Sequence, residues 1–383
     1  MIDELVIEEK NNVKKIAGLK EGKLCKFIIQ DNNKPSEGNI YIGKITKKIT
    51  TANGKLGFFV NIGDDKDAFI NAEERGLENL VAHEGQDIIV QVQQEQRAEK
   101  GARLVRFISI SGINLVYKPY GSEIEVSSKI TNDESRKNLY DFIYDHSSEG
   151  GWVIRTNAEN EKSDVILEEM NKLKCLFSNI LEEAKKVKSP AILYVNDNVI
   201  GDIINNNKDY LNKITVNTHV LENILAKNFD VEYDSKAFDN TGVNYLLEDV
   251  LDKQVKLPCG GRLFIEETKA FVSIDVDSGE GNIQGGSGVL NQEAAIEIAR
   301  QIILRNLSGK IIIDFAGIPE YKFLKRSIDT LIKQLSFDNV KSTVLGLTKA
   351  GNVEIIRSRR RPSLNDLLTE ECSVCKGTGR VEK

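Results

Sequence analysis

Two short apolar strands in this chain carry carboxylates, and a Cys-x-x-Cys pair lies near its C-terminus. The first, Phe271–Asp277, reads Phe-Val-Ser-Ile-Asp-Val-Asp; the second, Ile311–Phe315, reads Ile-Ile-Ile-Asp-Phe. A carboxylate on an apolar strand is costly unless it is hydrogen-bonded, ion-paired or bound to a metal. Strands joined by one helix can set Asp275 and Asp314 side by side as hard oxygen ligands for magnesium. Asp277 shares the face of Asp275, because side chains alternate with period two. The simpler alternative is that such aspartates end strands or cap helices. Cys372 and Cys375 supply half of a tetrahedral zinc site, and no second Cys-x-x-Cys occurs in the chain. Two copies would complete it, against the alternative of two unbonded surface thiols. Together the residues point to a metal-dependent phosphoryl-transfer enzyme that assembles as a dimer.

The bulk properties leave that chemistry open and close off others. At 383 residues the chain has room for two to four compact units. Its 40% apolar and 29% charged content is that of an ordinary globular protein. There is no apolar run near the roughly 20 residues of a membrane span, and no signal-peptide pattern at Met1–Leu5, so a cytoplasmic protein without an integral membrane segment is expected. Five scattered cysteines do not form a disulfide framework. Only His83, His146 and His219 are present, none in a nucleophile or ligand pattern, which disfavours histidine acid–base catalysis. The net charge is −6, yet Lys341–Arg361 holds six Lys/Arg against one Glu. Local patches, not the total, govern nucleic-acid binding.

The elements that must position these groups follow from periodicity. Short alternating strands at Gly38–Ile45, Gly57–Gly63, Asp67–Ile70 and Asp87–Val92, with glycine-rich turns, predict a small β-barrel of the OB type. Phe59 and Phe69 fall on neighbouring strands; core packing is the default, but outward-facing aromatics on such a barrel stack bases. Lys100 and Arg103 could meet phosphates or form a solvated turn. Arg155 and Thr156, after the strand Trp152–Ile154, offer a guanidinium and a hydroxyl suited to a terminal phosphate. Asp133–Asp145 and Lys162–Lys186 read as helices, and Asp3–Glu9 and Lys23–Gln30 as strands. After Leu257–Gly261 the pattern becomes α/β, with a helix over Asn291–Leu307 whose Ala295, Ile298, Ala299, Ile302 and Ile303 form one stripe.

The sequence resembles the ribonuclease E/G family over nearly its whole length. The resemblance is carried by Gly38–Ile45, Lys100–Leu104, Ile154–Thr156, Ile274–Gly279, Glu293–Ala295 with Ile298–Gln301, Ile311–Phe315, Val353–Glu354 with Arg357–Arg359, and the closing Cys-x-x-Cys-x-Gly-Thr-Gly. It implies an α/β multi-subdomain architecture. An RNase H-like scaffold (1–35 and 201–256) is interrupted by an S1-type OB barrel (36–118) and a 5′-sensor-like region (119–200). A DNase I-like α/β catalytic subdomain (257–365) and a zinc-link (366–383) follow. The implied activity is single-strand-specific endonucleolytic cleavage of AU-rich RNA, leaving a 5′-monophosphate and a 3′-hydroxyl. Asp275 and Asp314 would hold catalytic Mg2+, and Asp277 would orient water or ligate metal. Phe59 and Phe69 would grip single-stranded RNA, with Lys100 and Arg103 beside them, and Arg155 with Thr156 would sense the 5′-phosphate. Arg357 and Arg359 would neutralise backbone phosphates, and Cys372 with Cys375 would share Zn2+ between the subunits of a homodimer.

The chain departs from the family pattern at several points. Asp277 stands where Asn is usual, and Lys269 where Glu is usual, reversing a charge expected near the site. Ala316-Gly317-Ile318 replaces Ile-Asp-Met, and Glu125 enters the sensor loop, where it would repel a phosphate. The chain ends after the zinc-link motif, so the small C-terminal domain and scaffold tail of the family are not expected. The alternative these departures favour is an RNA-binding homologue with weak or no cleavage activity.

Overall fold

A computed structural model describes residues 2–379 except 52–53, 72–81, 98–99, 227–228, 280–282, 284–285, 318–320, 376 and 378. Contacts divide the chain into two units, one of residues 1–29 with 210–383 and one of residues 30–209.

The second unit contains a closed five-stranded barrel. Its strands Ile40–Thr50, Leu56–Asn61, Ala68–Asn71, Arg103–Val105 and Asp87–Gln94 pair in that order, and the last returns to the first. Closure leaves the inward positions, among them Ile45, Phe58, Val60, Ile70, Val90 and Leu104, to fill a dry interior. This is the barrel predicted from the alternation, and it is consistent with an OB-type fold. Ala191–Tyr194 adds antiparallel to the outside of the first strand. Beside it a four-stranded sheet, ordered Ile124–Val126, Gly151–Ile154, Leu115–Lys118 and Ile110–Ser111, belongs to the same unit. Its helices are Asp133–His146, capped by Asn132 accepting from the Ser135 amide at 2.9 Å, and Ser163–Ala184. Buried Trp152, Ile154, Leu115, Ile143 and Met170 bind sheet and helices into one core.

The first unit has two sheets. One is five-stranded, ordered Val231–Tyr233, Lys213–Val216, Glu4–Lys10, Val13–Lys20 and Lys23–Asp31. The strand Val13–Lys20, absent from the sequence reading, pairs with Glu4–Lys10 through a tight turn in which Asn11 and Asn12 have φ of 54° and 63°. Asparagine tolerates this left-handed region better than most residues, so the pair was a legible hairpin signal.

The other sheet carries the carboxylates. Its order is Gln254–Lys256, Arg262–Glu267, Val272–Asp277, Gly309–Asp314, Val353–Arg357 and Ser342–Leu347. Only the third and fourth strands are parallel; the helix Gly286–Leu304 makes their crossover. That helix turns Leu290, Ala294, Ala295, Ile298, Ala299 and Ile302 into the core, against Ile274, Val276, Ile311 and Ile313 of the sheet. Small alanines at 294, 295 and 299 let the helix backbone approach the sheet closely. The helix Tyr321–Leu335 adds Leu324, Leu331 and Leu335 to the same core. One sheet face is thus apolar and covered, while the alternate residues, Ser273, Asp275, Asp277, Ile312 and Asp314, point the other way.

Candidate active site

The parallel register sets Asp275 directly beside Asp314. Both side chains are exposed on the open face, at the C-terminal ends of adjacent strands. The Asp275 carboxyl is pushed above its ordinary range by partial burial first, then by the negative charges of Asp314 and Asp277. Like charges held this close repel, and the pair is poised to accept a cation.

Asp277 behaves differently. It lies opposite Arg262 in the antiparallel register of the preceding strand. Nε and Nη2 of Arg262 donate to Oδ2 of Asp277 at 2.9 and 2.8 Å, and the Gly279 amide donates to Oδ1 at 2.9 Å. The amide contact and the guanidinium hold the Asp277 carboxyl below its usual range. Phe264 sits opposite Asp275, with the Arg262 guanidinium 5.3 Å from its ring centroid. Among the described residues no group of three or more His, Cys, Asp or Glu is arranged to hold a metal. The open face therefore offers a carboxylate pair with a third carboxylate already engaged.

Sequence reasoning missed Arg262 and Phe264. The hairpin turn was the available signal: the Thr268 amide and hydroxyl donate to Phe271 O at 3.0 and 2.7 Å, and a tight turn there dictates the register that pairs Arg262 with Asp277. It also missed Asn291, whose buried amide group clamps the chain leaving the Asp314 strand. Its Nδ2 donates to Ala316 O at 3.1 Å, and its Oδ1 accepts from Ala316 N at 3.0 Å.

Three expectations about the surroundings of the carboxylates are corrected. Arg357 is buried, its side chain only 2% exposed. Its Nε and Nη2 donate to Oδ2 of Asp338 at 3.0 and 2.7 Å, and its Nη1 to Asn306 Oδ1 and Leu307 O, both at 2.9 Å. With its donors spent inside the protein it has no face for a phosphate. Arg359 is exposed, but it follows a strand whose Arg357 pairs with Gly309, at the opposite end of the sheet from Asp314. Lys269 lies in the Thr268–Phe271 turn, at the end of the strand remote from Asp277, so its charge is not beside the site. Lys349, besides the paired Arg262, is a cation at the carboxylate end. It is exposed in the Thr348–Asn352 turn, adjoining Val353, which pairs with Ile313.

In the barrel unit, Phe59 and Phe69 are cross-strand partners with ring centroids 5.6 Å apart in an edge-to-face arrangement. Both are half-buried on the outer surface, and a Cβ at Gly57 would collide with the Phe69 ring, so glycine makes room for it. Arg103 is the partner of Phe69 on the next strand, and Lys47 the partner of Phe59 on the other side. The result is one exposed row: Lys47, Phe59, Phe69, Arg103. Lys47 was not predicted because strict alternation from buried Ile45 turns it inward; a bulge at Thr46 shifts the register and brings it out. Lys100 is exposed and bridged to Arg97. Arg155 donates through Nη1 to Gly112 O at 2.5 Å and to Asp202 Oδ1 at 2.8 Å. The Thr156 hydroxyl lies 3.1 Å from that of Ser127, while Glu125 is paired with Lys118 at 2.6 Å.

Cys372 is exposed, and amides of Cys375 and Val374 directed at its sulfur hold its thiol below the usual range. That environment favours a thiolate.

Comparison with known proteins decides the ancestry. The model of the "Ribonuclease E/G family" matches residues 109–360. Ribonuclease G of Haemophilus influenzae is 32% identical over 99% of this chain and 84% of its own length. Ribonuclease G of Escherichia coli K12 is 31% identical over 90% of this chain and 77% of its own length.

The chain belongs to the ribonuclease E/G family.

Ribonuclease E of Synechocystis is also similar, at 29% identity over the full chain and 60% of that protein. The span matched by the ribonuclease E/G family model takes in both carboxylate strands, Arg262 and the Arg155–Thr156 segment. The barrel lies ahead of that span but inside the alignment with the H. influenzae relative, which covers 99% of the chain. Among its described residues, this ribonuclease E/G family member has no helix long and apolar enough to cross a membrane.

Proposed function

We propose that this protein is an endoribonuclease that hydrolyses phosphodiester bonds of AU-rich single-stranded RNA with the help of Mg2+. The observation that carries the reading is the in-register Asp275–Asp314 pair, with the Asp275 carboxyl raised by partial burial and then by the neighbouring negative charges. The donor set fits the ion. Magnesium takes hard oxygen ligands, commonly one or two carboxylates, and fills its remaining positions with water and substrate phosphate. When bound, the ion would lower the pKa of a water and polarise a phosphodiester oxygen.

The chain's own groups do the rest. Asp275 and Asp314 hold the cation. Asp277, braced by Arg262 and the Gly279 amide, presents a fixed carboxylate edge that orients the attacking water. Lys349 meets the phosphate backbone at the carboxylate end of the sheet. Phe59 and Phe69 stack bases, with Lys47 and Arg103 at the two ends of the row, and these together with Lys100 contact phosphates. Arg155 and Thr156 receive a 5′-phosphate, which displaces the Asp202 carboxylate from the guanidinium. The Glu125–Lys118 pair leaves that glutamate less repulsive than a free carboxylate. Cys372 and Cys375 supply two thiolates of a zinc site that a second chain completes, making a homodimer. The expected place of action is the cytoplasm.

The test uses a 5′-labelled AU-rich RNA with Mg2+, bearing either a 5′-monophosphate or a 5′-hydroxyl. Wild type cuts it, Asp314→Asn does not, and Arg155→Ala removes any preference for the monophosphate. The engagement of Asp277 by Arg262 favours a second reading, an RNA-binding homologue with weak or no cleavage. Tight binding without cutting, with Mg2+ or Mn2+, would establish that reading instead.

A further inference from the structure

Asp275, Asp277 and Asp314 share the open face of the sheet, and among the described ion pairs Asp277 alone of the three has a cationic partner. Resting on the metal reading above, we propose that Arg262 is a positioning residue that withholds Asp277 from the ligand set and limits the site to one divalent cation.

The geometry argues for a lock rather than a chance surface pair. Both guanidinium donors converge on Oδ2 at 2.9 and 2.8 Å, and the Gly279 amide takes Oδ1 at 2.9 Å, so each oxygen has a fixed direction. The two residues are register partners on neighbouring strands, so the backbone itself brings them together. Arg262 is further confined by Phe264, 5.3 Å from the guanidinium. The side chains are 34% and 32% exposed, and a pair this open contributes little to folding. Its location matters more than its energy. Asp277 is two residues from Asp275 on the same face, where a released carboxylate would add a third oxygen ligand group and a further negative charge. Such a cluster favours two cations over one.

The experiment counts Mn2+ bound to the full chain by calorimetry and by electron paramagnetic resonance. Wild type is expected to bind one Mn2+ that is lost in Asp275→Asn and Asp314→Asn. Arg262→Ala takes up a second ion, or binds the first about tenfold more tightly, the size typical of groups just outside a metal's ligand set. Adding Asp277→Asn to Arg262→Ala returns stoichiometry and affinity to wild type, and Arg262→Lys falls between. Asp277→Asn alone binds Mn2+ as wild type does, because the carboxylate it removes was withheld already. Unchanged Mn2+ binding in Arg262→Ala, beside a wild-type site that still needs Asp275 and Asp314, overturns the proposal and spares the metal reading. So does a tenfold loss in Asp277→Asn alone. A wild-type affinity indifferent to Asp275 and Asp314 removes the metal reading and this proposal together.

Discussion

One sheet holds two ionic arrangements of opposite character. At one end the Asp338–Arg357 pair is almost wholly enclosed, at 1% and 2% side-chain exposure, and Asn306 and Leu307 take up further guanidinium donors. At the other end Asp275 and Asp314 stand side by side in the open, two like charges with no cation in register. The first arrangement closes its electrostatics within the protein and stabilises nothing but the fold. The second leaves charge to be satisfied from outside. Satisfied ionic groups mark architecture; unsatisfied ones mark chemistry.

The largest effect is expected at the closed end. Arg357→Ala strands a buried Asp338 carboxylate and should cost about 3–5 kcal/mol in a urea titration. Arg357→Lys should recover little, since one ammonium cannot reproduce the fork. If the loss is under 1 kcal/mol, the enclosure is not doing what its geometry implies. In the barrel unit, Phe59→Ala and Phe69→Ala should each weaken single-stranded RNA binding by about 1–3 kcal/mol, read by fluorescence anisotropy. Lys47→Ala should weaken it less and flatten its salt dependence, as expected for a phosphate contact.

At the open end, the metal-free protein should become more stable when Asp275 is neutralised. The sign follows from its raised folded pKa: the native state holds that proton more tightly than the unfolded chain. Its stabilising effect is present below the ordinary Asp pKa and disappears as pH rises through the raised value, so at neutral pH the ionised group opposes folding. Asp275→Asn should therefore raise the melting temperature at pH 7, flatten the pH dependence above the ordinary Asp range, and lose any stabilisation by Mg2+. The smallest effect belongs to Lys269→Glu, which should leave both cleavage and stability near wild type, within about 0.5 kcal/mol in the latter. A large change in cleavage would place the turn residue nearer the chemistry than the sheet does.

The legible part of this molecule was the part written in local pattern. Alternation along Gly38–Val92 specified a barrel, and the apolar strands around Asp275 and Asp314 specified a sheet with a helix behind it. The pairing of Phe59 with Phe69 followed from two adjacent strands of matched alternation. What failed was the basic run from Lys341 to Arg361, where one-dimensional charge density cannot separate a buried Arg357 from an exposed Lys349. The Asp277 substitution likewise looked like a free third carboxylate until its cross-strand neighbour was known.

Side-chain type, strand period and the order of elements are properties of neighbours along the chain, and the sequence alone determined them. With them came a pair of carboxylates on apolar strands and a cysteine pair with zinc spacing. Tertiary structure alone decided which groups meet: the Arg262–Asp277 fork, the enclosure of Arg357, and the Thr46 bulge that turns Lys47 outward. The physical reason is register and burial. A one-residue shift in pairing moves every side chain to the other face, and whether a charge is spent or available depends on partners distant in sequence.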